Sequence, residues 1–592
     1  MHTIFENQNF KKLRALQFLN KYLYRYRIRL VLGLFFTIAA KVFAVVAPSL
    51  IGDSITEVNR YLSDPSANFE QTKSILIQNI AIIIGAALLS GLFTFTMRQT
   101  IINVSRFIEF DLKNEIYQHY QRLSINFYKN NRTGDLMNRI SEDVSKVRMY
   151  FGPALMYSIN TVALFVIVIS YMVSVAPTLS MYALAPLPFL SIAIYQLSRS
   201  IHKRSTIVQE YLSKLSAFTQ EMFSGIGIIK ANAIEPTANN KMGALALGSM
   251  SKNMHLVQVQ AWFFPLMILL IGLSNVLVIF IGGSQFINEQ IELGTLAEFI
   301  IYINMLTWPV ATVGWVTSIV QQAEASQKRI NEFLGQEPEI VSPKDGQKLQ
   351  SYSITFEDVS FSYDDGREEA LKEVNFTLES GKTLAILGRT GCGKSTLLQL
   401  ITRMYDVSSG VVKIGGIDVR KLNLNDLRNH IGSVPQEAFL FSDSLENNIR
   451  FGNAEATKDE IENAAKQAAV HNSILNFADG YQTVIGERGV SLSGGQKQRM
   501  SIARALVKQP QILLFDDSFS AVDTQTEETI LQHLRSMSFQ STTIVVCHRV
   551  SSAKNADYIL VMDQGRVTQF GKHESLVNKP GYYSELCKKQ LK

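Results

Sequence analysis

Residues 388–395 read Gly-Arg-Thr-Gly-Cys-Gly-Lys-Ser. That pattern, Gly-x-x-x-x-Gly-Lys-Ser, lets successive backbone N–H groups curl around phosphate oxygens. Lys394 reaches the terminal phosphates of a bound nucleotide, and the Ser395 hydroxyl is a ligand for Mg2+. Gly388, Arg389, Thr390, Gly391, Cys392, Gly393, Lys394, Ser395 and Thr396 are therefore candidate nucleotide-binding residues. Further along, the apolar run Gln511–Phe515 ends in Asp516-Asp517. A carboxylate at such a strand end orients the metal and water shell of a phosphate site. The run Thr542–Cys547 is followed by His548, at the carboxyl edge where ligands of open α/β sheets bind. Between these lies Leu492-Ser493-Gly494-Gly495-Gln496, a glycine-rich turn before the helical pattern Lys497–Leu506. Backbone N–H groups at that helix start suit a further phosphate contact.

These residues need elements to hold them. Ser353–Val359 alternates as a half-buried strand, and Thr383–Leu387 is a short apolar strand that delivers the phosphate loop. The stretch Thr396–Thr402 reads as the helix that follows. Strand, loop and helix in this order predict an α/β domain with a P-loop.

The region before residue 325 is different. The chain has 592 residues, of which 47% are hydrophobic and only 18% charged, against about 25% charged in ordinary globular proteins. Windows of about 20 residues place apolar spans near 29–51, 75–97, 151–173, 178–198, 259–284 and 294–318. The polar stretches 98–150 and 199–255 read as membrane helices that continue into the aqueous phase and fold back at short turns. Lys and Arg crowd the N-terminal arm and both long stretches, whereas the loop at 285–293 has none. By the positive-inside rule these stretches and both termini are cytoplasmic. Phe10, Leu13, Leu16, Leu19 and Leu23 recur at helical spacing among basic residues, which predicts an interfacial helix on the inner leaflet.

Lys41 lies near the middle of the first span and Arg98 at the cytoplasmic end of the second. A cation within the membrane snorkels, leans on carbonyls or faces a polar cavity. Both are candidate substrate contacts, although for Arg98 a headgroup anchor is the favoured reading. The composition excludes disorder, collagen-like repeats and a disulfide scaffold. The three cysteines, Cys392, Cys547 and Cys587, form no C-x-x-C pair, consistent with a reducing compartment. The formal charge of +6 is mostly accounted for by topology and implies no nucleic-acid partner.

Taken in order, the phosphate loop, the LSGGQ at 492–496, the strand ending in Asp516, and His548 resemble an ATP-binding-cassette exporter half-transporter, over nearly the whole chain. Further matches are Tyr363, similar to the family's adenine-stacking aromatic, and Gln436 in Val434-Pro435-Gln436. Gly486-Glu487-Arg488-Gly489 and Ser520-Ala521-Val522-Asp523 resemble segments that meet the membrane domain and the partner cassette. Phe127-Tyr128 and Thr133–Met137 look like the first coupling helix. The resemblance implies an all-α six-span transmembrane domain at 1–335, a linker at 336–350, and at 351–592 an α/β P-loop nucleotide-binding domain with a helical subdomain. It implies ATP and Mg2+ as cofactors. Ser395, Gln436 and Asp516 are the implied metal ligands, and Asp517, His548 and Gln436 the catalytic group. Ser493, Gly494, Gly495 and Gln496 would bind the ATP held by a second half-transporter.

The chain departs from the family where the residue after the metal-site aspartate, usually Glu, is Asp517. That is shorter by one methylene, and placement on that scale controls rate. An Asp there is similar to what marks the weakly hydrolysing site of heterodimeric exporters, where the intact LSGGQ could complete a competent site in a partner bearing Glu; because no other motif is degraded, the homodimer is favoured. The implied activity is ATP-driven export or flipping of an amphiphile, drug-like or lipid, across the cytoplasmic membrane. An ATP-gated channel or regulator is the alternative class. A peptide exporter is expected to carry a cysteine-peptidase domain, for which the residues before 29 are too few.

Overall fold

The computed structural model describes residues 15–63, 68–363, 369–486, 492–536 and 541–590. They form two compact units. One runs up to Gln121 and resumes at Arg132–Gln336; the other joins Arg122–Asn131 to the chain from Glu337 onward.

The first unit contains six helices long and apolar enough to cross a membrane: α1 (Arg27–Ser63), α2 (Phe69–Arg122), α3 (Thr133–Val175), α4 (Pro177–Ser224), α5 (Glu235–Ile287) and α6 (Leu293–Leu334). Each contains one of the expected spans. At 1.5 Å per residue a span uses about 30 Å of helix, so the 54 residues of α2 run far beyond it. The polar stretches are these extensions. Ile80, Ile84, Leu88 and Leu92 on α2 and Phe264 and Ile268 on α5 are exposed, the pattern of a lipid-facing surface. Val168, Met172, Leu179, Leu190, Phe299, Tyr302 and Leu306 are buried between the helices. Pro177 opens α4, where its fixed φ and missing N–H are tolerated. It sets the tight hairpin after α3.

α1 and α6 cross in backbone contact. A Cβ added at Gly294 would lie 1.9 Å from the Gly52 carbonyl oxygen. Only small residues permit that approach. Glu298, one turn further along α6, is 5% exposed.

The N-terminal segment is described from Ala15 onward. Ala15–Leu19 and Asn20–Arg25 are helical turns, but Leu16, Leu19 and Tyr22 are buried. These three side chains pack on the helix bundle, while Phe18 and Tyr24 of the same turns are exposed. The Ala15 and Leu16 N–H groups donate to the Glu324 carboxylate, each at 3.2 Å, which satisfies donors that a helix start leaves free. Arg25–Asp111 at 2.9 Å and Lys21–Glu115 at 2.7 Å fix the other end. Phe10 and Leu13 lie outside the described residues.

In the second unit the strands are β1 (Ile354–Ser362), β2 (Glu369–Leu378), β3 (Thr383–Gly388), β4 (Ser409–Ile414), β5 (Ile417–Asp418), β6 (Ile431–Val434), β7 (Ile512–Asp516), β8 (Thr542–Val546), β9 (Tyr558–Asp563) and β10 (Arg566–Gly571). They build an antiparallel sheet, β2-β1-β4-β5, and a larger sheet ordered β10-β9-β3-β8-β7-β6. In the larger sheet only β10 is antiparallel. Side chains alternate across a strand, and β3, β7 and β8 use this to serve two cores. Ala385, Leu387, Leu513, Phe515 and Val545 face one core, and Leu384, Ile386, Ile512, Leu514, Ile544 and Val546 face the other. At roughly 1.5–3 kcal/mol per buried large apolar side chain, these strands are firmly held, and their carboxyl ends carry the candidate site. Two helices complete it: α7 (Lys394–Ile401) follows the phosphate loop, and α8 (Gly494–Leu506) follows the LSGGQ turn.

Candidate nucleotide site

The parallel strands β3, β8 and β7 lie side by side, and β6 borders β7. Their carboxyl ends bring together residues far apart in sequence. The loop after β3 turns through Gly391 at φ +83° and Gly393 at φ +98°. Space around Gly391 is open, so its requirement is conformational, whereas a Cβ at Gly393 would also lie 2.6 Å from the Ala370 carbonyl oxygen. Lys394 opens α7 and is 7% exposed. Its Nζ donates to the carbonyl oxygens of Gly388 and Arg389, both at 2.9 Å. The ammonium is thus held against the loop, where it would meet the phosphates. Arg389 and Thr390 are exposed. Cys392 is buried with its Sγ 3.9 Å from Lys394 Nζ; burial pushes its thiol pKa up, opposed by the Lys394 charge.

Ser395 Oγ donates to Asp516 Oδ1 at 2.9 Å. Burial raises the Asp516 carboxyl above its ordinary range; the Ser395 hydrogen bond opposes this and the Asp517 charge adds to it. A partly buried anion beside a hydroxyl, both hard oxygen donors, suits Mg2+. Gln436, the third expected ligand, is exposed two residues beyond β6. Its backbone carbonyl accepts from Gln498, and its side chain has no hydrogen bond among the described residues.

Asp517 follows β7 in the left-handed region at φ 45°, a conformation Asp tolerates better than most residues. Its Oδ2 lies 3.8 Å from His548 Nε2, which is an ion-pair separation and too long for a hydrogen bond. Tyr363, just past β1, is fixed through its hydroxyl to Thr396 Oγ1 at 3.0 Å and Gln399 Oε1 at 3.1 Å.

Ser493 caps α8. Its Oγ accepts from the Gln496 N–H at 3.3 Å, and its own N–H donates to Gln496 Oε1 at 2.9 Å, a reciprocal capping box. A Cβ at Gly495 would lie 2.8 Å from the Ala521 carbonyl oxygen, so the LSGGQ turn and the Ser520–Asp523 loop pack directly. A Cβ at Gly494 would lie in ordinary contact, 3.9 Å from Ala521 Cβ. Among the described residues no hydrogen bond or ion pair links Ser493–Gln496 to the phosphate loop or to Asp516 and Asp517. One chain therefore presents two separate half-sites. Of Gly486–Gly489, only Gly486 is described.

Lys41 is half-buried and Arg98 exposed, and neither forms an ion pair or hydrogen bond among the described residues. The structure does not join them to one another or to an acidic partner.

Sequence reasoning missed Tyr405. It is 7% exposed and stands edge-on to Tyr363 at 5.4 Å between ring centroids. Nothing in its local sequence marks it.

The descriptions "ABC transporter transmembrane region" and "ABC transporter" match residues 30–310 and 371–520. The chain is 36% identical to the multidrug resistance-like ATP-binding protein MdlA of Escherichia coli, over 86% of this chain and 87% of that one. It is 35% identical to an ATP-dependent lipid A-core flippase of Syntrophus aciditrophicus, over 81% and 80%. A bacterial Atm1-family ABC exporter with ATP bound is similar in structure, with a TM-score of 0.79 at 26% identity, covering 96% of this chain and 98% of that one.

Proposed function

From the premise that this chain belongs to the ABC transporters, we propose that two copies of it export or flip an amphiphile, drug-like or lipid, across the cytoplasmic membrane by alternating access. The chain is a membrane protein and an ATP-hydrolysing exporter half, of the Atm1-type fold that works as a dimer. Its identity as a homodimer, its Mg2+ requirement, its cytoplasmic termini and the roles of individual residues are the proposal. So are the boundaries: transmembrane domain 1–335, linker 336–350, cassette 351–592.

The observation that carries the reading is the split site. Ser395 and Asp516 meet at the sheet edge, while Ser493–Gln496, which cap the start of α8, form no hydrogen bond or ion pair with them among the described residues. Each ATP then lies between one copy's phosphate loop and the other copy's LSGGQ turn. Lys394 neutralises its phosphates, and the glycine-rich backbone donates to their oxygens. Ser395, Asp516 and Gln436 would hold Mg2+, which offsets charge developing on the transferred phosphoryl group. Asp517 takes a proton from the attacking water, and His548 beside it fixes the orientation. Closure of the pair pulls on the turns near 127–139 and 224–240 and switches the spans. Amphiphile export is supported by the relatives named for multidrug resistance and lipid A-core flipping.

Asp517 favours a second reading, a weakly hydrolysing subunit paired with a chain that carries Glu there. The test is ATPase activity of the chain purified alone in lipid, with and without amphiphiles. Robust, stimulated hydrolysis that Lys394→Ala abolishes supports the homodimeric exporter. An equal rate in Lys394→Ala would overturn the site.

A further inference from the structure

Residues 122–131 join α2 to α3, yet they belong to the compact unit of the cassette. Ser124 Oγ and Asn126 Nδ2 donate to the two carboxylate oxygens of Glu339 at 3.0 and 3.1 Å. They seat the short helix Ile125–Asn130, which ends with Lys129 in its last turn. Lys129 Nζ lies 4.4 Å from the centre of the Tyr363 ring and 4.9 Å from that of Tyr405. Phe361 and Tyr405 stand edge-on to Tyr363, and Tyr363 is locked through its hydroxyl to α7. The Tyr405 hydroxyl is buried with no hydrogen-bond partner among the described residues. A rigid aromatic platform therefore carries a cation on its face. Tyr363 is also the residue on which adenine is proposed to stack.

We infer that Lys129 is a nucleotide-sensing residue, whose ammonium holds the aromatic face of Tyr363 until the purine base of ATP displaces it. The inference rests on the adenine-platform reading of Tyr363. A partly exposed ammonium over a ring favours the contact by roughly two- to fivefold. A base stacked on an aromatic side chain favours its own by roughly five- to a hundredfold. Base and cation compete for one face, and the base prevails. The loser is attached to α2 and α3, which both enter the membrane spans. Adenine binding thus frees or re-registers the turn on the cassette surface, a differential contact of the kind a two-state element needs. The exchange is assigned to the base and not to the phosphates, because Lys129 forms no hydrogen bond or ion pair with residues 388–396 among those described. The sensed group is the purine ring, and a polyphosphate without a base leaves Lys129 in place.

The experiment uses the full chain in lipid and reads the KM for ATP. Lys129→Met is expected to lower KM by about two- to fivefold, because the competitor is gone. Lys129→Arg, whose guanidinium also stacks on aromatic faces, is expected to keep the parent value. Inhibition by inorganic tripolyphosphate is expected to be equal in all three. Tyr363→Leu is expected to raise KM and to erase the difference that Lys129→Met makes. If Tyr363→Leu leaves KM unchanged, the adenine-platform reading fails and this inference with it. If Tyr363→Leu raises KM but Lys129→Met leaves it unchanged or raises it, the sensing role alone is overturned. A Lys129→Met effect that persists in the Tyr363→Leu background overturns it as well.

Discussion

Replacing Asp517 tests the proposed hydrolytic centre most directly. The Oδ2–Nε2 separation between Asp517 and His548 is 3.8 Å. One more methylene adds ~1.3 Å of reach along the chain direction. Asp517→Glu therefore brings a carboxylate oxygen to roughly 2.5 Å of the ring nitrogen at full extension, enough to settle at hydrogen-bond distance. A hydrogen bond gained there is worth about 1 kcal/mol, or about fivefold in rate if it forms as water is attacked. The backbone at φ 45° costs Glu roughly 1 kcal/mol that Asp largely avoids. That strain is present in ground and transition states alike, so it leaves kcat alone and lowers thermal stability. Asp517→Asn keeps the shape and removes the base, and the expected loss is roughly 10²- to 10⁴-fold. Phosphate release by the lone chain in lipid at saturating ATP measures all three, with nucleotide binding as the check on folding. An Asp517→Asn variant within about threefold of the parent, from a parent that hydrolyses briskly, would refute the assignment of Asp517 as base. A negligible parent rate that Asp517→Asn does not alter favours the heterodimer, and the same substitution would then matter little in a complex with a Glu-bearing partner.

Maleimide is expected to inhibit ATPase activity through Cys392, with ATP protecting and Cys392→Ser resistant. Because the thiol is buried and its pKa raised, labelling should be slower than for a free thiol at neutral pH and accelerate as pH rises above the ordinary thiol range; stoichiometric Cys392 labelling with full activity would contradict its placement in the loop. Lys41→Ala should weaken stimulation by an anionic amphiphile while basal ATPase activity persists, and equal stimulation in parent and variant would leave Lys41 a snorkelling residue. Gly495→Val should perturb the contact with the Ala521 carbonyl, which a Cβ would approach to 2.8 Å, and lower ATPase activity without lowering nucleotide binding to the phosphate loop; unimpaired turnover would contradict the role given to that turn.

The phosphate loop was legible because its chemistry is contiguous. Residues 388–395 specify a backbone path, and the loop follows one that turns through Gly391 and Gly393 at positive φ. The six spans were legible because about 20 apolar residues in a row are needed to cross hydrocarbon. What escaped the sequence depends on contacts between distant segments. Leu16 and Leu19 have the spacing of a lipid-facing helix, and the same spacing serves equally well for packing on protein; the Glu324 carboxylate at the helix start belongs to a segment more than three hundred residues away. Tyr405 and Lys129 carry no motif, and tertiary packing alone brings them to Tyr363. The helix at 125–130 was expected as part of a coupling element, but that it clusters with the cassette while residues from 132 onward cluster with the spans depends on tertiary contacts.

The backbone contact between Gly52 and Gly294 has a mechanical consequence. It pins α1 to α6 near the first turn of α6, a helix of 42 residues. At 1.5 Å per residue its far end lies about 60 Å from that joint. A tilt of about 10° around so distant a fulcrum sweeps the other end through roughly 10 Å. Displacement and force trade inversely along such an arm, so a small parting of helices beside the joint corresponds to a large excursion at Leu334. Stiffness at the crossing sets the gearing, and a bulkier residue at either glycine would loosen the bearing before it touched the nucleotide site.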